Sequence, residues 1–265
     1  MASHLNFHGL YPILDCERAA RRRHDLLACA RGFAALGLEV QQLRAKTLPA
    51  GELLRLADGL RAVVPCLIVN DRPDVALLSG AAGVHLGQSD LPVEEVRRLS
   101  PPGWITGLST HNPGQIAAAL ALKPSYLALG PIFSTTTKWT HLALPSKAAR
   151  RGARAPGARS LECGGAGGPS PGARAPWKVK PDPVVGVQAL TEVRKHYRGP
   201  LMAIGGIQLG NCAQAWQAGA DAVAVISALW DAPDPVAEAH RFLLAFARLS
   251  CHSPGESPCP PRALR

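Results

Sequence analysis

Aromatic side chains make up only 5% of this 265-residue chain, and long apolar runs are missing. So few rings suit a β-sandwich poorly, whereas abundant Ala, Leu, Val and Gly fit helices packed on a buried parallel sheet. No stretch reaches the roughly 18 apolar residues of a membrane span. Residues Met1 to His8 lack the charged and apolar regions of a secretory leader, and Leu10 to Leu14 already reads as a strand. Neither secretion nor mitochondrial import is therefore expected, and cytoplasmic residence is the default. The seven cysteines, Cys16, Cys29, Cys66, Cys163, Cys212, Cys251 and Cys259, contain no C-x-x-C pair. That excludes the usual zinc and dithiol spacings and leaves free thiols. Acidic residues are the scarce charge, 19 against 29 basic ones, for a net +10.

Where that excess lies matters more than its size. Between Trp139 and Lys178 stand Lys147, Arg150, Arg151, Arg154, Arg159, Arg174 and Lys178 against Glu162 alone, six of the ten net charges. Apart from the flanking Trp139 and Trp177, no aromatic residue interleaves with those arginines, which argues against a nucleic-acid surface. The modest remainder suits an enzyme for phosphorylated substrates, and no membrane partner is expected. A homo-oligomer stays open.

Eight short aliphatic runs read as strands: Leu10 to Leu14, Glu39 to Leu43, Cys66 to Val69, Gly83 to Leu86, Ile105 to Leu108, Tyr126 to Leu129, Leu201 to Ile204 and Ala222 to Ile226. Helix-length segments lie between them, among them Leu26 to Leu36, Glu52 to Val63, Pro113 to Leu122, Val187 to His196 and Asn211 to Ala218. The alternation predicts the α/β class and a closed (β/α)8 TIM barrel, with a doubly wound open sheet as the rival. Polar residues favour closure: Gln42, Arg44, Asn70, Asp71, Gln88, Asp90, Ser109, Thr135, Lys138, Gly206 and Ser227 all lie at or just past strand carboxyl ends. A barrel gathers those ends on one rim.

One domain over residues 1–249 is expected, interrupted at 139–178 by a low-complexity basic insertion in the sixth βα loop. The insertion reads as disordered, as does the Pro-rich tail 250–265.

Several rim residues have the types needed for phosphate chemistry. Ala203-Ile204-Gly205-Gly206-Ile207 and Val225-Ile226-Ser227-Ala228 sit where barrels cradle a phosphate with backbone amides, although glycines needed only for a tight turn would look the same. Asp71 and Asp90 follow adjacent strands, so their oxygens could share a magnesium ion, which prefers one or two carboxylates plus substrate oxygens. Alternatively, Asp90 caps a helix starting near Leu91 and Asp71 pairs with a neighbouring Arg. Arg44, Lys46 and Lys138 place positive charge on the same rim, the lysines being open to a merely solvated role. His85 and His111 flank it, as proton carriers or as structural groups.

Gln42-Leu43-Arg44-x-Lys46, Asn70-Asp71-Arg72, Gly83-Val84-His85-Leu86-Gly87-Gln88-x-Asp90, Gly107-x-Ser109-x-His111, Gly130-Pro131-Ile132-Phe133 through Thr135-x-Thr137-Lys138, and Ala203-Ile204-Gly205-Gly206-Ile207 occur together in this order. The combination resembles the thiamine phosphate synthase family over roughly Leu10 to Phe246 outside the insertion. The resemblance implies a magnesium-dependent transferase. Gln42, Arg44, Lys46, Asn70, Ser109 and Lys138 would contact a hydroxymethylpyrimidine diphosphate, with Arg44, Ser109 and Lys138 catalytic. Asp71 and Asp90 would hold the metal, and Thr135, Thr137, Gly206, Ile226 and Ser227 a thiazole phosphate. The reaction it implies is dissociative: diphosphate departs, and the thiazole nitrogen captures the pyrimidine-methyl cation.

Two departures from the family stand out. Leu14 occupies a position where threonine is common, and about 40 residues follow Lys138 where a short Pro-rich turn is usual. The insertion reads as a flap that leaves activity intact, an element that blocks or regulates the site, or translated noncoding sequence. Two other functions compete: a thiazole tautomerase, disfavoured by the paired aspartates, and an inactive barrel that binds thiamine phosphates as a regulator.

Overall fold

The computed structural model describes Phe7, residues 9–135 and residues 183–250. The 139–178 stretch and residues 251–265 lie outside them, as do Thr137 and Lys138. The described residues belong to one unit drawn from residues 1–137 and 182–265.

Eight parallel strands, β1 (Gly9–Asp15), β2 (Val40–Arg44), β3 (Cys66–Asn70), β4 (Gly83–Leu86), β5 (Ile105–Thr110), β6 (Tyr126–Leu129), β7 (Leu201–Ile204) and β8 (Ala222–Val225), pair with their chain neighbours. The circle shuts where β8 returns to β1, in the register Gly9↔Ala222 through Pro12↔Val225. The closed (β/α)8 barrel expected from the strand-helix alternation is therefore what the chain forms, and the open sheet is excluded. Strand ends shift by a residue or two: β2 starts at Val40 rather than Glu39, β5 runs on to Thr110 rather than stopping at Leu108, and β8 stops at Val225, leaving Ile226 just beyond it.

Around the sheet run α1 (Cys16–Arg22), α2 (Leu26–Ala35), α3 (Ala50–Arg61), α4 (Pro73–Leu78), α5 (Val93–Leu99), α6 (Pro113–Leu122), α7 (Gly186–His196), α8 (Cys212–Gln217), α9 (Ser227–Trp230) and α10 (Pro235–Ser250). Side-chain caps start four of them: Asp15 accepts from the Arg18 amide, Asp25 from Ala28, Asn112 from Gln115, and Asp234, just ahead of α10, from Val236 and Ala237. The helix α10 packs on β1, α2, α8 and α9, burying Phe242 and Phe246. Trp230 of α9 is fully buried and donates its indole N–H to the Ile13 carbonyl at 2.7 Å.

Strand alternation sorts the interior into two apolar layers. Leu10, Leu14, Leu43, Val69, Leu86, Leu127 and Val223 face the helices. Tyr11, Ile13, Val40, Ile68, Ile105, Tyr126, Met202, Ala222 and Ala224 fill the lumen, with Phe7 laid edge-on to both tyrosine rings, at 4.9 and 5.6 Å between centroids. Continuing the lumen parity toward the carboxyl ends gives Asp15, Gln42, Arg44, Asn70, His85 and Ser109. The fold thus stacks a polar storey on an apolar one. Where β6 exits, the Val185 amide donates to the Pro131 carbonyl at 2.9 Å, so the chain on either side of the sixth βα connection is in contact.

Candidate active site

The carboxyl ends of β1 to β5 carry a linked set of charged and polar side chains. Arg44, the last residue of β2, is buried against the Asp15 carboxylate at the end of β1. Asp15 is 1% exposed, and its other oxygen caps α1, so the Arg44 guanidinium is held by a group that is itself fixed. Two residues on, Glu17 accepts from the Lys46 and Thr47 amides at 2.6 and 2.8 Å and from the Thr47 hydroxyl at 3.0 Å. Partial burial pushes the Glu17 carboxyl up, but those donors outweigh it and hold it below its ordinary value. In this way β1 organises the loop after β2.

Lys46 forms an ion pair with Asp71, so it is not simply solvated. Asp71 follows β3 in the left-handed region, φ 61°, a conformation that asparagine and aspartate tolerate better than most residues. Its amide donates to the His85 carbonyl at 2.8 Å, which ties the loop after β3 to β4. Asp71 is also an electrostatic neighbour of Asp90. Burial, followed by the neighbouring Asp71, raises the Asp90 carboxyl, against the lowering pull of the Gly87 amide at 2.6 Å.

Neither rival reading of these aspartates survives. The helix after Asp90 is α5, which begins at Val93 behind Pro92 with no side-chain cap, and Asp90 turns back to Gly87 instead. The partner of Asp71 is a lysine, while Arg72 takes Asp74.

In the lumen below, Gln42 donates its amide N–H to the Tyr11 hydroxyl at 3.0 Å, and Tyr11 and Tyr126 meet hydroxyl to hydroxyl at 2.9 Å. The His85 Nδ1 lies 2.9 Å from the Tyr126 hydroxyl and its Nε2 2.8 Å from that of Ser109. Burial lowers the His85 imidazole to about 4, so the ring is neutral near pH 7 and is not a proton carrier by simple protonation. Gln88 donates to the Ser109 carbonyl at 2.6 Å. His111 Nδ1 bonds to the Gly130 carbonyl at 2.5 Å, a structural role tying β5 to the β6 exit.

The other side of the rim is built from backbone. Gly205 and Gly206 have φ of +92° and +68°, and a Cβ on Gly206 would lie 2.4 Å from the Ser134 carbonyl. Glycine is thus required there because the loop after β7 presses on the loop after β6. Ile226 is half-buried ahead of α9, and Ser227 opens that helix. Ser227 lines a pocket of about 330 Å³ with Gln208, Asp231 and Arg241. Thr135 is the last residue described before the sixth connection.

Of the residues singled out from sequence, Gln42, Arg44, Lys46, Asn70, Asp71, Asp90 and Ser109 lie on one contiguous arc of the rim. Gly206, Ile226 and Ser227 lie at the ends of β7 and β8 on the same face. Tyr11, Asp15, Glu17 and Tyr126 were not picked out. Strand parity was the available signal for the first two and the last, since each shares the lumen face with residues already chosen. Glu17 offered none.

Among the described residues no cluster of three or more His, Cys, Asp or Glu could hold a metal. Two neighbouring carboxylates, Asp71 and Asp90, nevertheless match the donor set of a hard cation that completes its shell with substrate and water oxygens. No described helix is long and apolar enough to cross a membrane.

The chain matches the family model described as thiamine monophosphate synthase over residues 10–166 and 168–229. A thiamine-phosphate synthase of Koribacter versatilis (strain Ellin345) is 36% identical over 248 residues, covering 92% of this chain and 98% of that protein. A thiamine-phosphate synthase of Methanoculleus marisnigri (strain ATCC 35101 / DSM 1498 / JR1) is 37% identical over 236 residues, covering 88% and 92%. Among solved structures, a thiamine phosphate pyrophosphorylase from Pyrococcus furiosus is similar with a TM-score of 0.69 at 24% identity, covering 92% of this chain and 98% of that one, a likeness of fold.

Proposed function

This chain belongs to the thiamine monophosphate synthase family, and on that premise we propose that it is a transferase. It moves the hydroxymethylpyrimidine group from its diphosphate to a thiazole phosphate, giving thiamine phosphate and diphosphate. The observation that carries this reading is the ion pair of Asp71 with Lys46, with Asp90 as its neighbour and the Asp15-held Arg44 beside it, on one arc of the rim. That arc has the charges needed to receive a departing diphosphate.

Asp71 and Asp90 would hold magnesium, which when bound supplies Lewis-acid neutralisation of the leaving group. Lys46, together with Arg44 and Lys138, would grip the diphosphate. Gln42, Asn70 and Ser109 orient the pyrimidine. Gly206, Ile226, Ser227, Thr135 and Thr137 hold the thiazole phosphate, partly through backbone amides. Diphosphate leaves first and the thiazole nitrogen captures the resulting pyrimidine-methyl cation. The chain's part is preorganised charge and orientation, so no side-chain nucleophile enters. Its partners are then small phosphorylated molecules rather than nucleic acid or a membrane, and its residence is cytoplasmic.

Residues 139–178 are proposed as an insertion in a single barrel domain. The hydrogen bond between Val185 and Pro131 supports this, because a long loop costs little when its ends are in contact.

The test is to incubate the purified chain with both substrates and Mg²⁺ and quantify thiamine phosphate. Product that disappears with a chelator supports the transferase. Isomerisation of the thiazole substrate in the absence of pyrimidine diphosphate, with no coupling, would support a tautomerase instead. A variant lacking residues 139–177 is expected to fold and turn over, and loss of folding would reject the insertion reading.

A further inference from the structure

The lumen chain that links Gln42 to Ser109 spans two proposed substrate contacts, and the three side chains between them have no assigned role. They are Tyr11 on β1, Tyr126 on β6 and His85 on β4, all buried. Gly107 makes the crossing possible. It stands between His85 and Tyr126 in the strand register, and a Cβ there would come within 2.1 Å of the Tyr126 ring. The glycine of the Gly107-x-Ser109-x-His111 motif is thus the gap through which the Tyr126 hydroxyl reaches the histidine.

Counting protons gives the chain a direction. The nitrogen of the Gln42 amide faces the Tyr11 oxygen and can only donate. Each phenol has one proton to give. If Tyr126 donated to Tyr11, the Tyr11 proton would be left buried between a donor and an occupied oxygen. If Tyr11 donates to Tyr126, then Tyr126 donates to His85 Nδ1, the neutral imidazole carries its proton on Nε2, and Nε2–H donates to Ser109. With the Gln42 nitrogen toward Tyr11, only the second arrangement satisfies every group. It leaves the Gln42 carbonyl oxygen as an acceptor at one end and the Ser109 hydroxyl as a donor at the other.

We propose that Tyr11, Tyr126 and His85 are positioning residues that fix the Gln42 amide and the Ser109 hydroxyl as a matched acceptor and donor through a one-way hydrogen-bond chain across the barrel. The positioning role rests on the transferase reading, whereas the direction of the chain does not.

Two readouts separate them. In the wild-type chain labelled with ¹⁵N-histidine, with His85 assigned from His85→Gln, the ring should show the Nε2–H tautomer. Tyr126→Phe removes the donor to Nδ1 and should shift His85 toward Nδ1–H. It should also lower kcat/KM for the pyrimidine diphosphate roughly tenfold, the scale of one lost hydrogen bond, and leave the KM for the thiazole phosphate unchanged. In a Ser109→Ala background the same substitution should cost less than it does in the wild type, because its effect through His85 on the Ser109 hydroxyl is already gone and only its effect through Tyr11 on Gln42 remains. Phe7→Leu loosens the same ring cluster without touching the chain, so it should lower the melting temperature and leave the tautomer alone.

A wild-type Nδ1–H tautomer, or losses that multiply in the double variant, would overturn the proposal. A wild-type Nε2–H tautomer without any turnover would overturn the transferase reading, and with it the positioning role, but not the direction of the chain.

Discussion

The two sides of the barrel rim solve the same problem by different means. From β1 to β5 the rim is a web of side chains, Asp15 to Arg44, Glu17 to the Lys46–Thr47 loop, Lys46 to Asp71 and Asp71 to Asp90. At β7 and β8 it is backbone, shaped by Gly205 and Gly206 and by the start of α9. A diphosphate with a metal demands mobile charge of both signs, whereas a single phosphate can be met by fixed N–H dipoles. The contrast predicts that substitutions on the first side will be costly through charge and those on the second through shape.

The largest effect should come from Asp71→Ala. Turnover is expected to fall roughly 100-fold or more, the scale of losing a principal electrostatic contact, with circular dichroism unchanged. Activity near that of the wild type would break the comparison by removing its charged half. Next is Asp15→Asn, which leaves Arg44 buried without its carboxylate. Removing one partner of a buried pair costs about 3 kcal/mol, so denaturant unfolding should register the loss, and kcat/KM for the pyrimidine diphosphate should fall with it.

Gly206→Ala sharpens the other half. Its Cβ cannot clear the Ser134 carbonyl, so the KM for the thiazole phosphate should rise about tenfold while that for the pyrimidine diphosphate holds; equal rises in both would deny the division of labour.

The smallest effect concerns Glu17, whose carboxyl sits below its ordinary 4.5 in the folded chain. Because the folded value is the lower one, the stability it supplies is fully present above about pH 4.5. That contribution disappears as pH falls through the folded value. Glu17→Gln should therefore flatten the acid limb of a melting-temperature profile below pH 4.5, and an unchanged limb would contradict the role assigned to it.

How the two halves could be read from sequence also differs. The eight strand runs and the barrel were legible because short aliphatic segments alternate with helix-length ones, and only strand ends were missed, by one residue or, at β5, by two. Asp71, Asp90, Lys46 and Arg44 were legible because each sits just past a strand and the ordered motifs resemble a known family. What sequence could not supply was pairing. That Asp71 meets a lysine rather than an arginine, and that Asp90 turns back to Gly87 rather than capping α5, depends on loop paths no periodicity encodes. Tyr11 and Tyr126 lie 115 residues apart; their contact follows from closure of the barrel, which brings β1 and β6 to one lumen. Gly206 was legible as a glycine that matters, yet the loop it presses against became visible only in three dimensions.

The most direct test is calorimetric titration of the pyrimidine diphosphate into the chain, with Mg²⁺ present and with it chelated, for wild type and for Asp71→Ala. Magnesium should tighten binding to the wild-type chain, and that tightening should vanish in the variant while the chain stays folded. An equal magnesium effect in both would place the metal away from Asp71 and contradict the charged arc as the seat of the reaction.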